Sequence, residues 1–305
     1  MRLVMQKVDV ADLDCVYLSY DEPKKEEFWV KIQNMVPWAK RVDSVQGSDA
    51  AHKAAAAASD TERFILIDGD NMPFPEFFDL TLDIEDKHQD CVFRWKAVND
   101  INGLMYGNGG MSCWTRTFIN NMRTHEASDG TDENDVEFCY DPKYLAMNNV
   151  YSTTYPNGSA KHAWRAGFRE GVKMCLRNGA KPTLEEFEDM VHRSNFDRLS
   201  VWHNLGADVE HGIHAINGAR LGTYKTMLTD WDYTEVQWFE NLDRIYTEPV
   251  DMPIVNGALM SRLGLPMLNL GSNESKFFKK YYAQTYCPAT PMTLEIDAIR
   301  RHEGW

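Results

Sequence analysis

Apolar and polar positions alternate between two rhythms in the first half of the chain. Cys15 to Ser19 (CVYLS) is an apolar run of strand length, and Glu26 to Val36 carries apolar residues at helical spacing. A second strand is predicted near Arg41 to Val45. Ser48-Asp49 stand as a capping pair ahead of Ala50 to Ala58, an alanine run of strong helix formers. Phe64 to Ile67 (FILI) has the pattern of a fully buried strand, and it runs straight into Asp68-Gly69-Asp70. Strand, helix, strand, helix, strand implies an α/β fold with a parallel sheet and right-handed crossovers. Ligands of such sheets collect at the carboxyl ends of the strands, where Ser19-Tyr20-Asp21 and Asp68-Gly69-Asp70 both fall.

Further along, Cys91 to Trp95 is strand-like and leads to a glycine cluster of Gly103, Gly107, Gly109 and Gly110. Glycines so grouped suit unusual backbone angles or close ligand approach, which suggests a flap or acceptor loop. Ala127 to Asp141 is acidic, Ala160 to Lys181 is predicted as one helix, and Pro182 opens another at Leu184 to Val191. From about Arg198 the chain is rich in Trp, Tyr and Met and is expected to be a helical part packed on the sheet. The expected division is 1–125, 126–197 and 198–305.

Composition narrows the class. With 305 residues, 43% of them hydrophobic, the chain is long enough for one large core or two smaller ones sharing a cleft. No run approaches the roughly 20 apolar residues that span a bilayer, and the first ten residues lack a signal peptide's apolar stretch, so a cytosolic protein without a membrane partner is expected. The six cysteines form no CxxC pair, which suggests reduced thiols. A net charge of -14 weakens a nucleic-acid reading without excluding it, because charge can be segregated on one face.

Two carboxylates separated by one glycine at the end of a buried strand make a compact oxygen site for Mg2+ or Mn2+, with substrate phosphates as the remaining ligands. The bland alternative is a strand-end turn, where Asp and Gly are ordinary residues. An EF-hand loop fails on the continuation Asn71-Met72-Pro73. A haloacid-dehalogenase-type phosphatase is a weak alternative. Lys161, Arg165, Arg169, Lys173, Arg177 and Lys181 recur at every fourth position, a stripe that either follows a phosphate backbone or is a solvated face pairing with the acids Glu185 to Asp189. Lys276 to Tyr282 mixes bases with aromatics and either stacks on unpaired bases or packs as a C-terminal helix.

Val45 to Phe78, which sets a glycine and an alanine-rich helix before an apolar strand ending in DxD, resembles the donor half of GT-A glycosyltransferases. The resemblance implies a GT-A (Rossmann-like), mostly parallel sheet flanked by helices. It implies a UDP-sugar donor contacted by Ser19, Tyr20, Asp21, Lys53, Asp68, Gly69, Asp70, Arg165 and Arg169. Asp70 would be the surer ligand of Mn2+ or Mg2+, with Asp68 and His162 beside it; His203, His211 and His214 compete with His162. Gly109-Gly110-Met111-Ser112 is similar to the loop lining the acceptor side, which assigns acceptor contacts to Gly109, Gly110 and Trp114. The acidic stretch that follows is where inverting members keep a base that takes the acceptor hydroxyl's proton, here Asp135 first and Glu133 second. Glu133-Asn134-Asp135 replaces the Glu-Asp pair of many such enzymes, so retention or inversion stays open.

The set from Val16 to Pro23, through Asp68 to Asn71 and Tyr106 to Gly110, to Ala163 to Arg169 looks like a group of bacteriophage-encoded glycosyltransferases, over roughly the first 170 to 225 residues. That implies a 5-hydroxymethylpyrimidine of phage DNA as acceptor. A glycan, lipid or protein acceptor is the alternative within the same class. Outside it stand a sugar nucleotidyltransferase, whose usual N-terminal glycine-rich loop is missing from Met1 to Lys25, and a catalytically silent binding protein.

Overall fold

A computed structural model describes residues 5–107, 110–122, 124, 126, 139, 141–177, 179–191 and 193–281. The chain opens with β1 (Met5–Asp9), β2 (Asp14–Ser19), α1 (Lys25–Met35), β3 (Lys40–Asp43), α2 (Ser48–Ala58) and β4 (Arg63–Asp68). β5 (Asn71–Pro73), β6 (Thr81–Glu85), β7 (Val92–Asn99), β8 (Met105–Tyr106), β9 (Met111–Thr115), α3 (Arg116–Asn121) and β10 (Tyr144–Thr154) follow. The rest is helical: α4 (Ala160–Lys173), α5 (Phe187–Met190), α6 (Arg193–Trp202), α7 (Gly212–Leu228), α8 (Phe239–Tyr246), α9 (Met252–Leu263) and α10 (Ser272–Tyr281).

The fold is α/β, and its eight-stranded sheet has the order β3-β2-β4-β9-β7-β10-β5 with β8 on β7. β2, β3 and β4 pair in parallel, as do β7 and β10, while β9 runs antiparallel to both β4 and β7, and β5 antiparallel to β10. The sheet is therefore mixed rather than mostly parallel. Short connections are the cause: a two-residue turn at Gly69-Asp70 and the turn at 100–104 between β7 and β8 reverse the chain, whereas a parallel neighbour needs a long crossover. β1 and β6 form a separate two-stranded ribbon.

Each face of the main sheet is covered. Ile65, Ile67, Phe93, Trp95, Met147 and Tyr151 form a core with Phe28 and Ile32 of α1 on one side. Phe64, Leu66, Val92 and Trp114 alternate to the other side and meet Ala55 and Ala56 of α2, whose small side chains let the helix lie close. A third core joins Ile101 and Leu104 to α4 and to the C-terminal helices through Trp202, Leu221, Leu242 and Leu259.

Two helices differ from expectation. Ser48 and Asp49 lie inside the first turn of α2 behind the N-cap Gly47, and their backbone N–H groups donate to the carboxylate of Glu126 at 2.6 and 3.1 Å. The predicted helix to Lys181 ends at Lys173, because Arg177 and Ala180 exchange backbone hydrogen bonds around Gly179 at φ +77°. Arg177 and Lys181 therefore leave the helical stripe, and the predicted helix at Leu184 to Val191 shrinks to α5.

α4 and α7 approach so closely that side chains are excluded between them. A Cβ on Gly167 or Gly171 would lie 2.0 or 2.2 Å from the carbonyl oxygens of Ala215 or Ala219, and one on Gly218 or Gly222 would lie 2.1 or 2.3 Å from those of Trp164 or Phe168. Small residues four apart on both helices make this contact.

Candidate functional site

The carboxyl ends of β2 and β4 lie side by side because the strands pair in parallel with Leu18 opposite Asp68. Beyond β4 the backbone turns at Gly69-Asp70 and enters β5. Tyr17 Oη donates to the Gly69 carbonyl at 2.8 Å, and the Tyr155 N–H to that of Asp70 at 2.7 Å, which fixes the turn. Gly69 has no room for a side chain: a Cβ there would lie 2.4 Å from Glu22 Oε2. Gly110, at φ +76°, is pressed against Asp68 in the same way, with 2.5 Å between its would-be Cβ and Asp68 Oδ2. The tip of the glycine cluster thus closes over the first aspartate.

Three carboxylates, Glu22, Asp68 and Asp70, share this corner. Burial pushes the Asp68 carboxyl well above the usual carboxylate range, and the charges of Asp70 and Glu22 add to it. Asp70 is raised to about 6 by burial and by Glu22, against the opposing pull of the Thr154 hydroxyl and Arg165. Both aspartates keep partial exposure, so an ion can reach them. Glu22, whose Oε2 accepts the Tyr20 N–H at 2.7 Å, was invisible in the sequence as part of the site. Thr154 was missed with its strand.

Facing the aspartates is the first part of α4. Ser159 caps it, accepting the His162 N–H at 3.2 Å and contacting His162 Nδ1 at 2.7 Å. His162 Nε2 and Arg165 Nη2 each stand 3.5 Å from Asp21 Oδ1. The Arg165 approach is a long ion pair, and that of His162 is one only when the imidazole is protonated. His162 and, after it, Arg165 hold the Asp21 carboxyl well below its ordinary range. The Arg165 guanidinium also lies 4.0 Å from the centre of the Phe239 ring, with Arg169 5.3 Å from the same ring.

The structure thus gathers Tyr20, Asp21, Asp68, Gly69, Asp70, Gly110, His162 and Arg165 at one edge of the sheet, with Arg169 one helical turn on. Two expectations, those for Ser19 and Trp114, are corrected, and Lys53 and His162 each stand beside a carboxylate. Ser19 is buried, and its hydroxyl donates to Asp43 at 2.6 Å and accepts from Arg41 at 3.1 Å, so it braces β2 against β3 rather than facing a donor. Lys53 pairs with Asp49 at 2.6 Å one turn back on α2. Trp114 is a core residue of β9, against Phe118, Tyr144 and His52, because alternation along the strand turns it inward, so it lines no acceptor site. His162 faces Asp21, and among the described residues no three His, Cys, Asp or Glu side chains converge on one cation. Among the competing histidines, His203 is buried and bonded to Thr223. Glu133, Asp135 and Gly109 lie outside the described residues.

In the basic stripe Lys161 pairs with Asp243 at 2.7 Å, and Lys181, beyond the helix, donates to the Thr229 carbonyl at 3.3 Å. Of the Lys276 stretch, Lys279 pairs with Asp208 at 2.9 Å, and Phe278 packs on the C-terminal core while Phe277 is exposed. None of the described helices is long and apolar enough to cross a membrane.

Asp68 and Asp70 fit a divalent cation by the chemistry of their donors: two adjacent, partly covered carboxylates whose negative charge burial and Glu22 oppose are oxygen ligands of the kind Mg2+ and Mn2+ prefer. No family model, curated protein or solved structure matches this chain.

Proposed function

We propose that the chain is a metal-dependent glycosyltransferase that moves a sugar from a UDP-sugar to a hydroxyl acceptor. The observation that carries this reading is the Asp68-Gly69-Asp70 turn at the carboxyl ends of paired parallel strands, with both carboxyls raised by burial and by Glu22. Asp68 and Asp70 would hold Mn2+ or Mg2+, which when bound neutralises the diphosphate that leaves with the nucleotide. Arg165 adds a fixed positive charge beside them and orients Asp21. Tyr20, 43% exposed at the rim, offers a ring to the nucleotide base. Gly110 lets the glycine loop lie directly on Asp68 and narrow the site. The acceptor's proton is assigned to Asp135 or Glu133.

For the acceptor we propose a 5-hydroxymethylpyrimidine in DNA, supported by the sequence resemblance and by Arg165 near Asp70, with Arg169 one turn further along α4. The net charge of -14 and the pairing of Lys161 favour a glycan, lipid or protein acceptor instead, which makes this the second reading.

Thermal unfolding with UDP, with and without Mn2+, tests the donor chemistry. A specific ligand at 100 times its dissociation constant adds about 2.7 kcal/mol of stability. Stabilisation by UDP only with metal, absent in Asp70→Ala, is expected; no shift with any nucleotide or metal would overturn the reading. Incubation of UDP-sugars with hydroxymethylated DNA and with glycan acceptors then separates the two acceptor classes.

A further inference from the structure

Lys161, Arg165 and Arg169 stand four residues apart and so lie along one face of α4. α8 meets that face. The Lys161 ammonium pairs with Asp243 at 2.7 Å, and the Arg165 and Arg169 guanidinium carbons lie 4.0 and 5.3 Å from the centre of the Phe239 ring. One turn of α8 separates Phe239 from Asp243, so the two share a side of that helix. Beside them Trp164 meets Tyr246 edge to face at 5.2 Å, and Leu242 and Ile245 of α8 are buried in the C-terminal core. Phe239 is therefore presented from a packed element, while its own ring stays 37% exposed.

Arg165 is the cation of this face that reaches the donor corner. Its guanidinium makes a long ion pair with Asp21 at 3.5 Å, and its charge acts on Asp70. A single contact of that length leaves the guanidinium plane free to turn. A ring face 4.0 Å away fixes it, because a planar cation stacks on the negative face of an aromatic ring. Of the five N–H donors of Arg165, only one directed at Asp21 has an acceptor among the described residues, which leaves others for a phosphate.

We propose that Phe239 is a positioning residue of the donor site, its ring holding the Arg165 guanidinium at the angle from which the remaining donors take up the diphosphate bound at Asp68-Gly69-Asp70. This rests on the donor reading above. Arginine recognises phosphate as a planar fork, so affinity depends on the plane as well as on the charge. The C-terminal helices thereby complete a site whose carboxylates come from the sheet.

The test is calorimetric titration of UDP, in Mn2+, into the wild type, Phe239→Leu, Phe239→Tyr, Arg165→Gln and the double variant of Phe239→Leu with Arg165→Gln. Phe239→Leu keeps apolar bulk and loses the ring, so it should raise the UDP Kd about fivefold, while Phe239→Tyr should stay within about twofold of wild type. In the Arg165→Gln background Phe239→Leu should change Kd by less than about twofold, since the ring then has no Arg165 to hold. Arg165→Lys keeps the charge and loses the plane; it should match Phe239→Leu, and it carries the test if the leucine variant does not fold. A Kd unchanged by Phe239→Leu, or raised equally with and without Arg165, overturns the proposal. Failure of the wild type to bind UDP overturns the donor reading first, and this role of Phe239 with it.

Discussion

At Asp68 and Asp70 the chain places two negative charges where burial alone already opposes one. Asp70 is raised from 3.8 to about 6, so the folded protein holds its proton more tightly than the unfolded chain does. Its contribution to stability is then most favourable below about pH 4 and declines as pH rises to about 6. Asp70→Asn removes the charge and keeps the shape. In chelator at pH 8 this variant should be more stable than wild type by on the order of 1–2 kcal/mol, from 1.36 kcal/mol per pKa unit discounted for partial exposure. At pH 4 the gap should close, and added Mn2+ at pH 8 should stabilise the wild type alone. Urea unfolding at the two pH values decides it; an equal gap at both would show that the Asp70 charge is not under strain. The aspartates were legible in the sequence because an apolar run of strand length ends on them. Glu22 was not, because its role depends on Gly69 leaving space that only the folded turn reveals.

Between elements, the closest fit is that of α4 on α7, where backbone meets backbone. Ala at Gly167 would put a Cβ 2.0 Å from a rigid carbonyl oxygen, so the helices must separate. Gly167→Ala and Gly218→Ala should each cost about 2 kcal/mol or more, in the range of overpacked cores, and lower Tm by several degrees. Gly257, inside α9, has nothing within 4 Å of its would-be Cβ. Gly257→Ala should instead stabilise by about 0.5–1 kcal/mol through helix propensity. Thermal melts of the three variants check the contrast, and equal effects in all of them would sink the close-packing account. Local patterns predicted elements well where the period was clean: β2, β4, α1 and α2 all stand within a few residues of expectation. β10 escaped because Asn148 and Asn149 and the register shifts between Ala146 and Ser152 break its alternation. Strand direction escaped too, since pairing of β9 with both β4 and β7 is a long-range choice that no local period encodes.

Over the whole molecule, pH response is a sum of groups with opposite signs, and the windows separate them. Asp14, Asp21 and Asp43 sit below their ordinary range, so the stability they add is present above about pH 4 and lost only under more acid conditions. His203 behaves differently. It is fully buried between α6 and α7, with Thr223 on its Nε2 at 2.9 Å and Arg220 donating to its carbonyl at 2.9 Å. Burial first, and the Arg220 charge after it, hold His203 down to about 3 from 6.5. The unfolded chain therefore takes up this proton more readily, and the stability due to a neutral His203 is complete above about pH 6.5 and lost as pH falls toward 3. His52, lowered by burial, adds in the same direction. Between pH 6 and 4 the aspartates of the metal-free site act oppositely. Comparison with a variant at His203 isolates the histidine's share, because the aspartates act alike in both proteins. Neutral His203 alone should cost the wild type in chelator on the order of 1–2 kcal/mol of stability from pH 6.5 to 4.5, on top of the aspartates' opposite change. His203→Gln should remove that share whatever its effect at pH 8, and wild type and variant showing the same slope between pH 6.5 and 4.5 would remove His203 as a contributor.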